Sequence, residues 1–195
     1  MFPVSTYAKE GNMDYYIDIL IKPDSEMRLN VLLNTVYTKL HKILHDSQSV
    51  NIGISFPKYE ITLGNVLRIH GDDSVLKNLH GFDWLGGIKG YCQVSEIKPI
   101  PVEVKFRTVS RKQSTMSPSK LRRLVKRGSI SEDDVSEYRA KMFKKGLDNP
   151  YVELMSGSNG HRHRRYIDFG PLLERPVTGD FDQFGLSKSA TIPWF

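Results

Sequence analysis

The stretch Y-Y-I-D-I-L-I-K, Tyr15 to Lys22, alternates, with Ile17, Ile19 and Ile21 on one face, and Pro23 closes it. A period of two marks a strand with one face buried. The period then changes. Between Arg28 and His45, the residues Leu33, Val36, Tyr37, Leu40, Ile43 and Leu44 form the stripe of an amphipathic helix. Further on, Asn51 to Phe56 reads as a short strand ended by Pro57, and Val66 to His70 reads as another. Asp72 and Asp73 can start a short helix through Leu79, and Tyr91 to Ile97 reads as a fourth strand, at an edge or bulged. The order is β-α-β-β-α-β, the split βαβ or ferredoxin-like arrangement, assigned to residues 13–98. Residues 1–12 are polar and patternless and are expected to be a disordered extension, with Met13 available as a second start.

The fold class expected is α+β, because a second, different half follows. Pro99, Pro101 and a strand from Val102 to Val109 lead into S-P-S-K-L-R-R-L-V-K-R, Ser117 to Arg127. Ser117 suits an N-cap and Pro118 the first helical position, where a missing N–H costs nothing. At about 100° per residue, Leu121, Leu124 and Val125 share a narrow face. Lys120, Arg122, Arg123, Lys126 and Arg127 fan over the other side, and no acid occurs between Arg107 and Arg127. A merely solvated helix face usually interleaves signs, so an arc of one sign points to an anionic partner. Gly128 stops this helix. Ser131 with Asp134 resembles a capping box for a second helix, which ends on Lys141, Lys144, Lys145 and Gly146. Strands near Tyr151–Met155 and His163–Phe169 flank Asn159-Gly160, a hairpin turn pair. The closing G-L-S-K-S-A-T-I-P-W-F from Gly185 ends on large apolar residues that should pack on the body.

Charge divides the chain at the same place. Residues 1–106 hold 11 Lys and Arg against 12 Asp and Glu, while residues 107–195 hold 17 against 10. The net charge of +6 therefore sits entirely in the second half, as in chains that meet nucleic acid or another anionic surface. Cys92 stands alone, which excludes an internal disulfide framework and suits a cytoplasmic setting. No apolar run is long enough to span a bilayer and no secretory leader pattern is present, so no membrane partner is expected.

Few residues offer chemistry on their own. His41 lies at the margin of the apolar stripe with His45 one turn on; such a histidine is more often a half-buried packing residue than a base. The His41–His45 spacing could suit zinc, but no clear third ligand accompanies it, and no metal or cofactor is expected. Histidines 161 and 163 would share a strand face. Ser156 and Ser158 sit at the hairpin tip, where turn chemistry alone would place them. There is no G-x-S-x-G elbow, P-loop, H-E-x-x-H or dinucleotide fingerprint. The first half lacks the aromatics of an RNA-recognition motif.

Taken in order, these segments resemble the CRISPR repeat-processing endoribonuclease of the subtype I-F (Csy) systems. The resemblance runs from about Met13 to Phe195. It is carried by M-D-Y-Y-I-D-I at Met13, K-L-H-K-I-L around His41 and I-G-I-S-F-P at Ile52. V-S-R-K-Q at Val109, the arginine-rich helix, S-G-S-N-G at Ser156 and the closing G-L-S-K and P-W-F complete it. It implies a metal-independent nuclease that cuts CRISPR repeat RNA 3′ of a small hairpin. The ribose 2′-OH attacks the adjacent phosphate, leaving a 2′,3′-cyclic phosphate and a 5′-OH. The family's histidine falls on His41, as the base for the 2′-OH proton, and its serine falls on Ser156, which would hold the nucleophilic ribose.

The resemblance also makes residues 99–195 a smaller α+β RNA-binding region with its basic helix at 118–127. Arg111 and Gln113 match the pair that reads bases at the bottom of the stem, a chemistry suited to guanine and adenine edges. Arg122, Arg123, Lys126 and Arg127, with Lys120, would meet phosphates, although Leu124 stands where the family carries a further arginine. The aromatic that stacks under the terminal base pair falls on His163. A tyrosine near the active site falls on Phe184, so a hydroxyl is missing there. The implied partners are the repeat hairpin, the mature crRNA that stays bound, and the other subunits of the subtype I-F surveillance complex. Two other readings stay open at this point: a non-catalytic hairpin-binding scaffold with a structural His41, and a general basic RNA-binding domain without hairpin preference.

Overall fold

Strand β1 (Tyr15–Ile21) lies inside a sheet of order β2-β3-β1-β4, where β2 is Gly53–Ser55, β3 is Val66–Gly71 and β4 is Cys92–Val94. Each of these neighbours is antiparallel, with Ile17 opposite Ile69, Gly53 opposite His70 and Leu20 opposite Gln93. The computed structural model describes residues 13–113, 118–131, 134–139, 148–155 and 160–195. The extension 1–12, Ser117, the end of the second basic-half helix at Lys141–Gly146, and Ser156, Ser158 and Asn159 lie outside the described residues.

Helix α1 (Leu29–Asp46) and helix α2 (Asp73–Gly81) follow β1 and β3. Of the stripe read from the sequence, α1 buries Leu33, Val36, Tyr37, Leu40 and Leu44 and leaves Ile43 half-buried, and it buries Leu32 as well. Asp72 caps α2 by accepting the Val75 N–H at 2.8 Å. The expected fourth strand is shorter and interrupted. A 3-10 turn (Gly86–Tyr91) precedes β4, and β5 (Lys98–Pro99) returns to the same edge of β1. Between them Ser95 turns inward, its hydroxyl accepting the Asp18 N–H at 3.0 Å while its own N–H reaches the Asp18 carbonyl. Edge strands bulge in this way where no further neighbour enforces register.

The expected Val102–Val109 strand is two strands serving two sheets. Val102 is fully exposed. β6 (Lys105–Arg107) pairs with β10 (Ile192–Trp194), and β7 (Val109–Lys112) pairs with β9 (Arg162–Phe169). The chain changes partner at Thr108, whose carbonyl accepts the Gly170 N–H. β8 (Tyr151–Met155) pairs with the other side of β9, giving the order β7-β9-β8. The Glu153 N–H ties β8 to α1 through the Asn34 side chain at 2.9 Å.

One hydrophobic cluster joins Ile17, Leu40 and Leu67 to Val109, Val152, Ile167 and Ile192, so both halves of the chain contribute to it. The closing segment packs as its composition requires. Arg107 lies 4.7 Å from the centre of the Trp194 ring and Arg68 lies 4.0 Å from that of Phe195. This segment also covers the sheet face away from α1 and α2: a side chain at Gly53 would meet Ile192 Cγ2 at 2.5 Å.

With both faces covered, every residue of β3 is buried. That explains a charge and a histidine inside the sheet. Arg68 is held by Asp18 through two bonds of 2.7 and 2.9 Å. His70 bonds the Ser55 hydroxyl at 2.8 Å, and burial pushes its pKa down to about 3 from 6.5. Its stabilising contribution is complete above pH 6.5 and is lost as pH falls toward 3. The unfolded chain binds the proton first, so stability declines by about 1.4 kcal/mol per pH unit over that window. Urea melts of His70→Gln at pH 7 and pH 4 should show a shallower decline than the parent; equal declines would remove His70 as the cause.

Candidate functional site

Asn34, Thr38, His41 and His45 lie three or four residues apart, on one stripe of α1. Asn34 holds β8, so this stripe faces the β7-β9-β8 sheet rather than the β1 sheet. His41 is half-buried there. Its Nδ1 lies 2.8 Å from the carbonyl oxygen of Gln183. A carbonyl only accepts, so Nδ1 carries the hydrogen and donates it. In the neutral ring Nε2 is then the nitrogen with the free lone pair.

The His41 ring lies flat on Phe184, with centroids 3.6 Å apart and planes 12° apart. The turn that carries Phe184 is rigidly made. Asp182 accepts the N–H groups of Phe184 at 2.9 Å and Leu186 at 3.0 Å through one carboxylate oxygen. Tyr37 donates its hydroxyl hydrogen to the Phe184 carbonyl at 3.2 Å. Gly185 has φ +69°, and a Cβ there would stand 2.7 Å from Ile54 Cγ2. The Gly185 carbonyl accepts the Ile54 N–H, and the Ser187 N–H reaches the Val109 carbonyl. The G-L-S-K motif is therefore the segment that fixes residues 183 and 184 against both β2 and β7.

Arg165 completes the arrangement from β9. Its guanidinium carbon lies 3.5 Å from the Phe184 ring centre. Two groups this close to one ring centre occupy opposite faces, so imidazole, phenyl and guanidinium form a three-layer stack. Arg165 is only 7% exposed, and among the described residues its Nε has no hydrogen-bond partner.

The electrostatics favour a neutral imidazole. Burial pushes the His41 pKa down from 6.5; the bond to Gln183 opposes this, and the Arg165 and His45 charges add to it. Asp182 pulls weakly the other way. A neutral histidine with a directed lone pair on Nε2 is equipped to take a proton near neutral pH.

The other expected residues fall into two groups. In the β7-β9 register Arg111 stands opposite Ile167, and Arg165 is two residues away on the same sheet face. His163 lies on that face too, exposed, at the far end of the His163, Arg165, Ile167 row. Gln113 follows β7 and is exposed. Arg111, Arg165 and His163 therefore share one sheet face, and His41 reaches that face at Arg165 through the ring of Phe184. Helix α3 (Pro118–Lys126) forms the second group, presenting Lys120, Arg122, Arg123 and Lys126 outward, with Arg127 following. Gly128, at φ +65°, ends it: its N–H reaches Val125 and the Ser129 N–H reaches Leu124. Val125 departs from expectation, being 46% exposed, whereas Leu121 is buried and Leu124 half-buried. Among the described side chains of the helix, Leu121 and Leu124 are thus the ones turned inward. Ser131 and Asp134 do form the reciprocal capping box, with the Ser131 N–H on Asp134 at 3.2 Å and the Asp134 N–H on the Ser131 hydroxyl at 3.2 Å.

Ser156 lies outside the described residues; β8 ends at Met155, the residue before it. Sequence reading missed Arg165, Asp182 and the Gln183 carbonyl. Only Arg165 left a trace: it alternates with Ile167, and an inward Ile167 makes Arg165 inward too.

Among the described residues no helix is long and apolar enough to cross a membrane. Residues 16–195 match the model of the family described as CRISPR-associated protein (Cas_Csy4). The chain is 37% identical over 184 residues to the CRISPR-associated endonuclease Cas6/Csy4 of Escherichia coli (strain UTI89 / UPEC), covering 94% of this chain and 100% of that one. It is 36% identical over 187 residues to the protein of the same name from Pseudomonas aeruginosa (strain UCBPP-PA14), with the same coverage. Among solved structures, Thermus thermophilus Cse3 bound to an RNA representing a pre-cleavage complex is 11% identical, with a TM-score of 0.37 over 92% of this chain and 100% of that one. That likeness is too low to argue from.

Proposed function

Because the chain belongs to the CRISPR-associated Cas_Csy4 family, we propose that it is an endoribonuclease that binds the hairpin of CRISPR repeat RNA and cuts 3′ of it. The observation that supports this chemistry is the His41 to Gln183 bond, which favours the hydrogen on Nδ1 and so a lone pair on Nε2 for the base. In this reading Nε2 takes the proton from the ribose 2′-OH. The oxygen attacks the adjacent phosphate, the 5′ oxygen of the next nucleotide leaves and takes a proton from water to become a 5′-OH, and the product ends in a 2′,3′-cyclic phosphate. The nucleophile belongs to the substrate, so the reaction needs no metal-activated water. Ser156 holds the ribose, by family resemblance.

The fold supports the same reading. The strand order β2-β3-β1-β4, antiparallel throughout, with α1 and α2 after β1 and β3, favours the ferredoxin-like arrangement for residues 13–98. Residues 99–195 supply the RNA contacts. The α3 cations take the stem phosphates, Arg111 and Gln113 read its lowest base pairs, and His163 supports the end of the stem. The product keeps its hairpin, so the protein stays on the crRNA as a subunit of the surveillance complex in the cytoplasm.

The test is a subtype I-F repeat RNA beside the same RNA with one arm of the stem scrambled. At raised salt the intact hairpin should be bound and cut, and the scrambled RNA should be neither. Replacing Arg122, Arg123, Lys126 or Arg127 by alanine should lower the salt slope of hairpin binding by about one unit for each phosphate that is no longer neutralised. Equal binding of both RNAs would leave only a general basic RNA-binding domain.

A further inference from the structure

We propose that Arg165 is a positioning residue for His41, acting through the ring of Phe184. It rests on the reading of His41 as the base, and extends it to a residue with no expected role. Three observations carry it. Arg165 is buried at a strand position whose inward neighbours, Val152 and Ile167, are apolar, and no ion pair with a described acid holds it there. A guanidinium taken from water with no carboxylate in ion-pair contact is costly, and Asp182 favours its charge only from a distance, so packing alone does not explain the choice of residue. Its planar face instead meets the Phe184 ring at 3.5 Å, and the opposite face of that ring carries the imidazole at 3.6 Å. A guanidinium stacks on an aromatic face as a lysine ammonium cannot. The ring of Phe184 is thereby clamped, and with it the plane on which His41 rests.

The same placement puts a fixed positive charge about 7 Å from the imidazole, the sum of the two stacking distances, with an aromatic ring in place of water between them. That charge opposes protonation of His41. The other groups facing His41 do not cancel it. His45, from the same helix, adds to it when protonated and lies 3.4 Å from Asp46. Tyr37 spends its hydroxyl hydrogen on the Phe184 carbonyl. Asp182 works in the opposite sense, but its oxygen is engaged by two backbone N–H groups. Arg111, on the same sheet face, adds positive charge beside Arg165.

The test is the His41 titration, followed by NMR of ring-labelled histidine in the full-length protein, beside the pH profile of single-turnover cleavage. The wild-type midpoint should lie below that of an ordinary histidine. In Arg165→Met it should move to higher pH, and the rise of the cleavage rate with pH should move with it. In Arg165→Lys, which keeps the charge, the midpoint should stay closer to wild type, while the loss of the planar face slows cleavage above the midpoint. An unchanged midpoint in Arg165→Met would overturn the inference, as would a wild-type midpoint at the ordinary value, which needs no variant to fold. The titration reads the hold on the ring and cleavage reads the base, so an Arg165-dependent midpoint in a protein that cuts nothing would sink the nuclease reading alone.

Discussion

Replacing His41 by alanine is expected to slow cleavage of the repeat hairpin by about 10²–10⁴-fold, the usual contribution of a positioned general base. Hairpin affinity should stay within about threefold of the parent, because the substitution leaves α3, Arg111 and Gln113 untouched. The variant should also fold. The ring is half-buried, and the 182–187 turn keeps its bonds to Asp182, Tyr37, Ile54 and Val109 without it. In the parent, the rate should rise with pH as His41 loses its proton. Burial lowers the His41 pKa, so the plateau should arrive at a lower pH than an ordinary histidine gives. His41→Ala should lose this limb of the profile together with the rate. A variant that binds and cuts like the parent would make His41 a packing residue and return the protein to a hairpin-binding scaffold. Single-turnover cleavage and a filter-binding isotherm on the same preparation separate these outcomes.

The strand and helix order of the first half was legible because its periods are clean. Ile17, Ile19 and Ile21 alternate on a strand, and Leu33 to Leu44 follow a helix, so the buried faces of β1 and α1 could be read directly. β3 was harder, since both its faces are buried and its residues include Arg68 and His70. Neither polar residue reads as core until the closing segment is seen to cover the second face. The split between β6 and β7 was not legible, because alternation says that a segment is extended and not which sheet it joins. The same limit applied to the site. His41 was singled out, but the Gln183 carbonyl that fixes its tautomer is 142 residues away and belongs to the backbone. Asp182 reads as an ordinary turn residue, and its two N–H bonds follow from the turn geometry set by Gly185. Phe184 looked like a missing hydroxyl. In the folded chain its ring is the surface that carries the imidazole on one face and Arg165 on the other.

The other large effect should come from the substrate. Removing the 2′-OH before the scissile phosphate deletes the nucleophile while leaving the stem, its phosphates and its base edges intact. Catalysis that supplies only a base, a positioned ribose and a basic surface cannot replace that oxygen. Binding of the deoxy RNA should therefore match that of the parent RNA, and cleavage should be lost altogether. The measurement to make is cleavage of a labelled subtype I-F repeat in EDTA, beside the same RNA with a single 2′-deoxy nucleotide at that position. The account predicts that the first is cut to a 2′,3′-cyclic phosphate and that the second is bound but intact. Cleavage of the deoxy RNA, or tight binding of both with no cleavage of either, would contradict it.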